Sequence, residues 1–172
     1  MIIRSPKSWV IILMYGVSPH PAQAPENSIK GWRNCAPFSC ASLASAALFH
    51  PHGGYLFVAL QTSRQVAVVD PVSRVELFRV NTGRAPDGLA ISADGLRLYV
   101  NNFMDRTLGI HDLSRLVNFG EASAALVASP VAVAAERLTA IVLQGKRLFY
   151  DARDPRLARD GYMSCASCHN DG

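Results

Sequence analysis

Tyr162-Met-Ser-Cys-Ala-Ser-Cys-His-Asn-Asp-Gly172 carries two thiols three positions apart and an imidazole directly after the second. Cys165-x-x-Cys168-His169 has the spacing of a c-type haem attachment site. Two thiols on one helical turn can each add to a vinyl group of the same porphyrin, and the adjacent His169 then offers its imidazole to the iron as proximal axial ligand. The expected cofactor is therefore one covalent haem c, with Cys165 and Cys168 as thioether positions and His169 as the metal ligand.

Three other uses of these groups compete. A structural zinc site could draw on Cys35, Cys40, Cys165 and Cys168 or His169, although the Cys35/Cys40 pair lacks the two-residue spacing of such sites. A thioredoxin-like redox pair needs a strand before the motif, where Asp160-Gly161 reads as loop. A structural disulfide between Cys165 and Cys168 would make His169 incidental. A distal haem ligand is not assignable: Met163 is too close to Cys165 to wrap to the opposite haem face. Met104, His50, His52 and His111 would serve only through tertiary contacts, and the histidines read by default as turn or surface residues.

The element that must position the motif is a helix. From Ala134, the residues Leu138, Ile141, Val142, Gly145, Leu148 and Phe149 fall on one helical face. Glu136 near its start and Lys146 with Arg147 near its end suit the helix dipole. Pro130 and Asp154-Pro155 bound it. The apolar stripe is expected to be packing surface.

Upstream lies a repeat. Residues 47–70 align without gaps over residues 89–112, a 42-residue offset that superposes Gly53/Gly95, Leu56/Leu98, Val58/Val100, Arg64/Arg106 and Asp70/Asp112. A period in the low forties with several short strands per unit is the mark of a propeller blade. His52-Gly53-Gly54 and Asp94-Gly95 are turn signals, since glycine accepts positive φ. Strands are expected over Tyr55–Leu60, Gln65–Asp70, Arg74–Val80, Arg97–Asn101 and Thr107–Asp112. Asp70 and Asp112 close their strands, where a carboxylate accepts N–H groups of the next turn. Arg64 and Arg106 recur at one repeat position and are expected to pair with carboxylates of the blades.

Leu98-Tyr-Val-Asn-Asn102, the Ala93-Asp-Gly95 turn before it and the Gly83-Arg-Ala-Pro-Asp-Gly88 lead-in resemble the YVTN β-propeller repeat. Phe57-Val-Ala-Leu60 keeps the pattern less fully. Gly145, Leu148, Phe149, Asp151, Ser164, Cys165, Cys168 and His169 resemble the entry to the first haem domain of di-haem cytochrome c peroxidases and MauG-type enzymes. The first resemblance implies about two blades; the second implies an oxidoreductase with two haems. This chain holds one Cys-x-x-Cys-His, so a peroxidase activity is left open for it.

The resulting fold class is mainly β with a C-terminal α segment: a partial β-propeller followed by the first helices of a cytochrome c-like domain. Residues 1–24 read as a signal peptide: Arg4 and Lys7, the apolar core Trp9–Val17, and the small-x-small Ala22-Gln-Ala24. Pro25 is an unfavourable first mature residue. Residues 25–46 stay unassigned, with Cys35 and Cys40 either bridged or free. Residues 47–133 form the propeller region and 134–172 the start of the cytochrome domain. The apolar share of 49% and charged share of 17% exclude a disordered tail. Trp9–Val17 is too short to span a bilayer, and no Lys/Arg cluster interleaves with aromatics to suit nucleic acid.

The function expected is that of an exported, periplasmic, c-type electron-transfer protein, with a redox protein or small-molecule oxidant as partner. Two blades cannot close a ring, so the chain reads as a piece of a larger propeller–cytochrome protein. The alternative is a non-enzymatic propeller-type binding or scaffold protein with a vestigial haem motif.

Overall fold

The computed structural model describes residues 43–158 and 163–169. Strands β1 (Ala44–Phe49), β2 (Leu56–Leu60), β3 (Gln65–Asp70) and β4 (Val75–Asn81) form one antiparallel meander. Strands β5 (Pro86–Ile91), β6 (Arg97–Asn102) and β7 (Thr107–Asp112) form a second, and the short strands β8 (Ala125–Leu126) and β9 (Val131–Ala132) both pair with β7. Helix α1 (Ser114–Phe119) links β7 to β8, helix α2 (Ala140–Tyr150) follows β9, and a 3₁₀ turn spans Cys165–Ser167. The fold is mainly β, with two adjacent blade-like sheets and a C-terminal helix.

The sequence repeat is a structural repeat. β1 and β5, and likewise β3 and β7, occupy equivalent positions 42 residues apart. Both first strands carry a bulge at the same place, between Ala44 and Ala46 in one and between Pro86 and Gly88 in the other. A bulge re-aims a strand end, so the two units bend alike. The first strand of the repeat begins at Ala44, inside the segment that carried no sequence signal.

Alternation builds the core. Pairing sets Phe57 opposite Val68 and Val68 opposite Phe78, while Val66 faces Val80, so these side chains share one face of the first sheet. In the second sheet Leu89 faces Val100 and Ile91 faces Leu98. Phe57, Val66, Val68, Val80, Leu98 and Val100 meet Leu113 and Leu116 in a single cluster spanning both sheets. Helix α1 seals one end of it. Asp112 accepts the Ser114 N–H at 2.9 Å to start that helix, and Gly120, at φ 68°, stops it. The Asp112-x-Ser114 start and the glycine stop are the local sequence signals of this helix.

Because the strands meander, successive loops emerge on alternate ends. The β1–β2, β3–β4 and β5–β6 loops lie at one end, with α1. The β2–β3, β4–β5 and β6–β7 loops lie at the other, where Phe103 of the last meets Lys146 and Tyr150 of α2.

Three sequence expectations need correction. Only part of the apolar stripe on α2 packs among the described residues: Leu148 and Phe149 are half-buried, whereas Ile141 and Val142 are 79% and 53% exposed. Glu136 is not in the first helical turn, since α2 starts at Ala140. His50 and His111 are not surface residues. His111 lies opposite Leu98 on the core side of β7, and Gly109, two residues before it, leaves room for the imidazole.

Candidate functional site

The Cys165–Ser167 turn is stabilised from within. Ser167 and Cys168 donate their N–H groups to Ser164 O and Cys165 O at 3.0 and 3.2 Å, and His169 donates to Cys165 O at 3.0 Å. Ser167 Oγ in turn accepts the Ser164 N–H at 3.0 Å. Ala166 is buried, whereas Cys165, Cys168 and His169 are exposed and both thiols are free. One small side chain therefore anchors the turn, and its three reactive groups face outward from a single turn that touches α2.

That donor set fits a covalently held haem. The thiols are neither bridged nor buried, and the imidazole is held within one turn of them. Ile141, Val142, Leu157 and Met163 of the same C-terminal segment are exposed apolar side chains. The zinc alternative relied on Cys35 and Cys40, which lie outside the described residues, as does the signal-like segment 1–24.

The C-terminal segment is seated on the loop face by a repeated device. Arg64 ends the Gln61–Arg64 loop and Arg106 ends the Phe103–Arg106 loop, with φ of 56° and 52°. This left-handed conformation costs a non-glycine residue about 1 kcal/mol or more. Arg64 pairs with Asp151, just past α2. Arg106 pairs with Glu136, just before α2, through Nε–Oε2 at 3.1 Å and Nη2–Oε1 at 3.2 Å. The expectation that these arginines pair with carboxylates of the blades is thus overturned: both partners flank α2, outside the repeat.

Backbone bonds repeat the same logic. Ala152 donates its N–H to Thr62 O at 3.0 Å, and Val133 donates to Arg106 O at 2.9 Å. Between these points Lys146 Nζ lies 4.4 Å from the centroid of the Phe103 ring, which also meets Tyr150 edge-on. The Arg106 guanidinium and the N–H groups of Leu138 and Arg137 hold Glu136 down to about 2. Glu136 and Asp151 were not foreseen as partners; only their position flanking a helix and facing two repeated arginines could have marked them.

The remaining candidate ligands are scattered. His50 is locked between blades, with Nδ1 accepting the His52 N–H at 3.3 Å and Nε2 donating to Gly95 O at 2.9 Å. His111 is buried, which pushes its pKa down, and its Nδ1 lies 3.4 Å from Ala124 O. Met104 is buried beside Arg64 and Arg84. Among the described residues no three His, Cys, Asp or Glu side chains gather as a metal site, and no helix is long and apolar enough to cross a membrane.

No protein-family model and no curated protein matches the chain. Solved structures do resemble it. Hydrazine synthase of Kuenenia stuttgartiensis is 26% identical over 42% of this chain and 20% of its own, with a TM-score of 0.41. The periplasmic gluconolactonase of Pseudomonas aeruginosa is 18% identical over 61% and 30%, TM-score 0.46. The Cps50 (Swd1) β-propeller domain of Myceliophteria thermophila is 16% identical over 55% and 31%, TM-score 0.47. The match spans less than a third of each of these chains.

Proposed function

We propose that the chain is a c-type haem-binding electron-transfer protein whose cofactor turn is carried on propeller blades. The observation that supports this most directly is the pair of free, exposed thiols, Cys165 and Cys168, on one turn with His169. In this reading Cys165 and Cys168 would hold the haem through thioethers and His169 would ligate its iron. A bound haem would supply one-electron redox chemistry, and the chain would supply covalent retention through Cys165 and Cys168 and an axial ligand in His169. A redox protein or a small-molecule oxidant is the partner class.

Export to the periplasm belongs to the same proposal and rests on the signal-like residues 1–24. Peroxide reduction as in the resembled di-haem enzymes needs a second haem site, and this chain has one Cys-x-x-Cys-His. The activity is therefore proposed at the level of electron transfer.

The test is expression with cytochrome c maturation factors, then pyridine haemochrome absorbance on the denatured protein. One retained haem per chain, lost in the Cys165→Ala/Cys168→Ala double variant, is expected. A folded chain that retains none would leave the alternative, a propeller-type binding or scaffold protein with a vestigial motif. Stoichiometric zinc and unfolding by chelator would replace both.

A further inference from the structure

We propose that His111 is an acid-released latch at the outer side of the second blade: protonating its ring frees β8, and the chain that enters it, from β7. The imidazole is 2% exposed on the core side of β7, with Leu98 opposite it on β6 and Leu126 opposite it on β8. Its Nδ1 lies 3.4 Å from Ala124 O, one residue before β8. A carbonyl only accepts, so this contact places the ring proton on Nδ1 and leaves Nε2 to take a second one.

What the ring holds is the anchor of an exposed stretch. From Asn118 to Arg137 only Ser123 and Ala124 are even half-buried, and Ala124 packs against the core cluster. Beyond it β8 is two residues long, pairing Ala125 with Asp112 and Leu126 with His111, and Val127 donates its N–H to Ile110 O at 2.8 Å. A strand this short has little of its own to resist opening.

A proton on Nε2 would create a full charge with no carboxylate to meet it. Arg97 and Asp112 pair in register on the other face of the second sheet, and Arg115 engages Glu121 on the exposed side of α1. The first sheet turns Phe57, Val66 and Val68 to the common core, while its Glu76 and Arg79 fall on the opposite face. His50 is committed to Gly95 O and the His52 N–H. Burial pushes the His111 ring below its ordinary value of 6.5, and the Ala124 bond opposes this only in part. The neutral ring thus supports the closed state fully above pH 6.5. That support declines as the pH falls below 6.5, and the decline ends once the folded ring itself titrates. One proton limits the change to about tenfold in the opening equilibrium per pH unit. Glu136, with an ordinary value of 4.5, keeps its pairing throughout this range.

The experiment follows amide exchange in the full chain from about pH 7.5 to about pH 5.5, expressed as protection factors so that the intrinsic pH dependence cancels. Proton resonances of the imidazoles are titrated in parallel. Protection of the Val127 N–H is expected to fall at least fivefold, with that of Val66 and Val100 changing less than twofold. His111→Gln keeps a donor for Ala124 O but cannot take up a proton, so it should flatten the fall, whereas His52→Gln on the exposed turn should leave it. Constant protection at Val127, a fall shared equally by Val66 and Val100, or a fall that persists in folded His111→Gln would each overturn the latch. If His111→Gln does not fold, the parent decides alone: the His111 resonance must titrate in step with the loss at Val127, and a mismatch between the two overturns the proposal.

Discussion

At one end of the blades the loops close on themselves, while at the other end they reach out. Asp70 accepts the Val72 N–H at 2.8 Å, Asp94 accepts the Leu96 N–H at 2.9 Å, and Asp112 accepts the Ser114 N–H at 2.9 Å. Neighbouring serine hydroxyls and these N–H groups hold all three carboxylates below their usual range. At the opposite end Arg64 and Arg106 close turns of similar length but spend their charge on Asp151 and Glu136, outside the repeat. A carboxylate placed before a turn satisfies that turn's own backbone. An arginine placed at its end leaves a charge pointing outward. The repeat therefore encodes two surfaces, one self-sufficient and one that needs a partner.

The sharpest way to break the self-sufficient end is Gly95→Val. Gly95 sits at φ 76°, and a Cβ there would lie 2.8 Å from the His50 ring that donates to its carbonyl. Strain and lost contact between blades together should cost about 3 kcal/mol, read as a lower midpoint in urea for the whole β signal. A midpoint unchanged from the parent would remove His50–Gly95 as a link between blades.

Arg64→Ala addresses the other end and should act differently. Losing a charged hydrogen bond and stranding Asp151 should cost about 2 kcal/mol, felt in the C-terminal segment. Limited proteolysis is expected to cut between residues 126 and 158 at least tenfold faster, with the strand signal retained. Equal acceleration throughout the chain would erase the distinction between the two ends.

Acid should separate them further. The Glu136 carboxylate is depressed from 4.5 to about 2 in the folded chain. Its pairing with Arg106 therefore stabilises fully above pH 4.5, declines below it, and is gone once the pH falls through about 2. Cleavage after Leu126 by an acid-active protease should rise across that window, and Glu136→Gln should flatten the rise.

The smallest effect belongs to Arg74, which also sits at positive φ, 60°, but on the self-sufficient end and without an ion pair among the described residues. Arg74→Gly should stabilise by about 0.5 kcal/mol, strain relief outweighing the added chain entropy. At Arg106 the same change should loosen the segment instead. Thermal midpoints of the two variants moving in the same direction would contradict the comparison.

Much of this was legible in the residues. The 42-residue offset marked β2, β3, β6 and β7, because alternation and glycine turns are local signals. Asp70 and Asp112 cap their turns as their positions imply. β1 was missed because Ala44-Ser-Ala-Ala47 has no alternation of apolar and polar residues. His111 looked superficial because its burial depends on which side of β7 faces Leu98, a matter of register. Arg64 and Arg106 were recognised as equivalent, but their partners lie 87 and 30 residues away, beyond any local pattern. The thiols of the Cys-x-x-Cys-His turn were evident from spacing alone.

The order of those two ion pairs has a topological consequence. The earlier arginine holds the later acid and the later arginine holds the earlier acid, so the chain doubles back from the second blade across to the first. Closing the Arg64–Asp151 loop draws together distant parts of the chain, while each hairpin beneath it closes over a few residues. The segment bearing the thiols should accordingly seat after the sheets and lift away before them. Amide exchange would register that as faster exchange at Ala152 and Val133 than at Val66 or Val100.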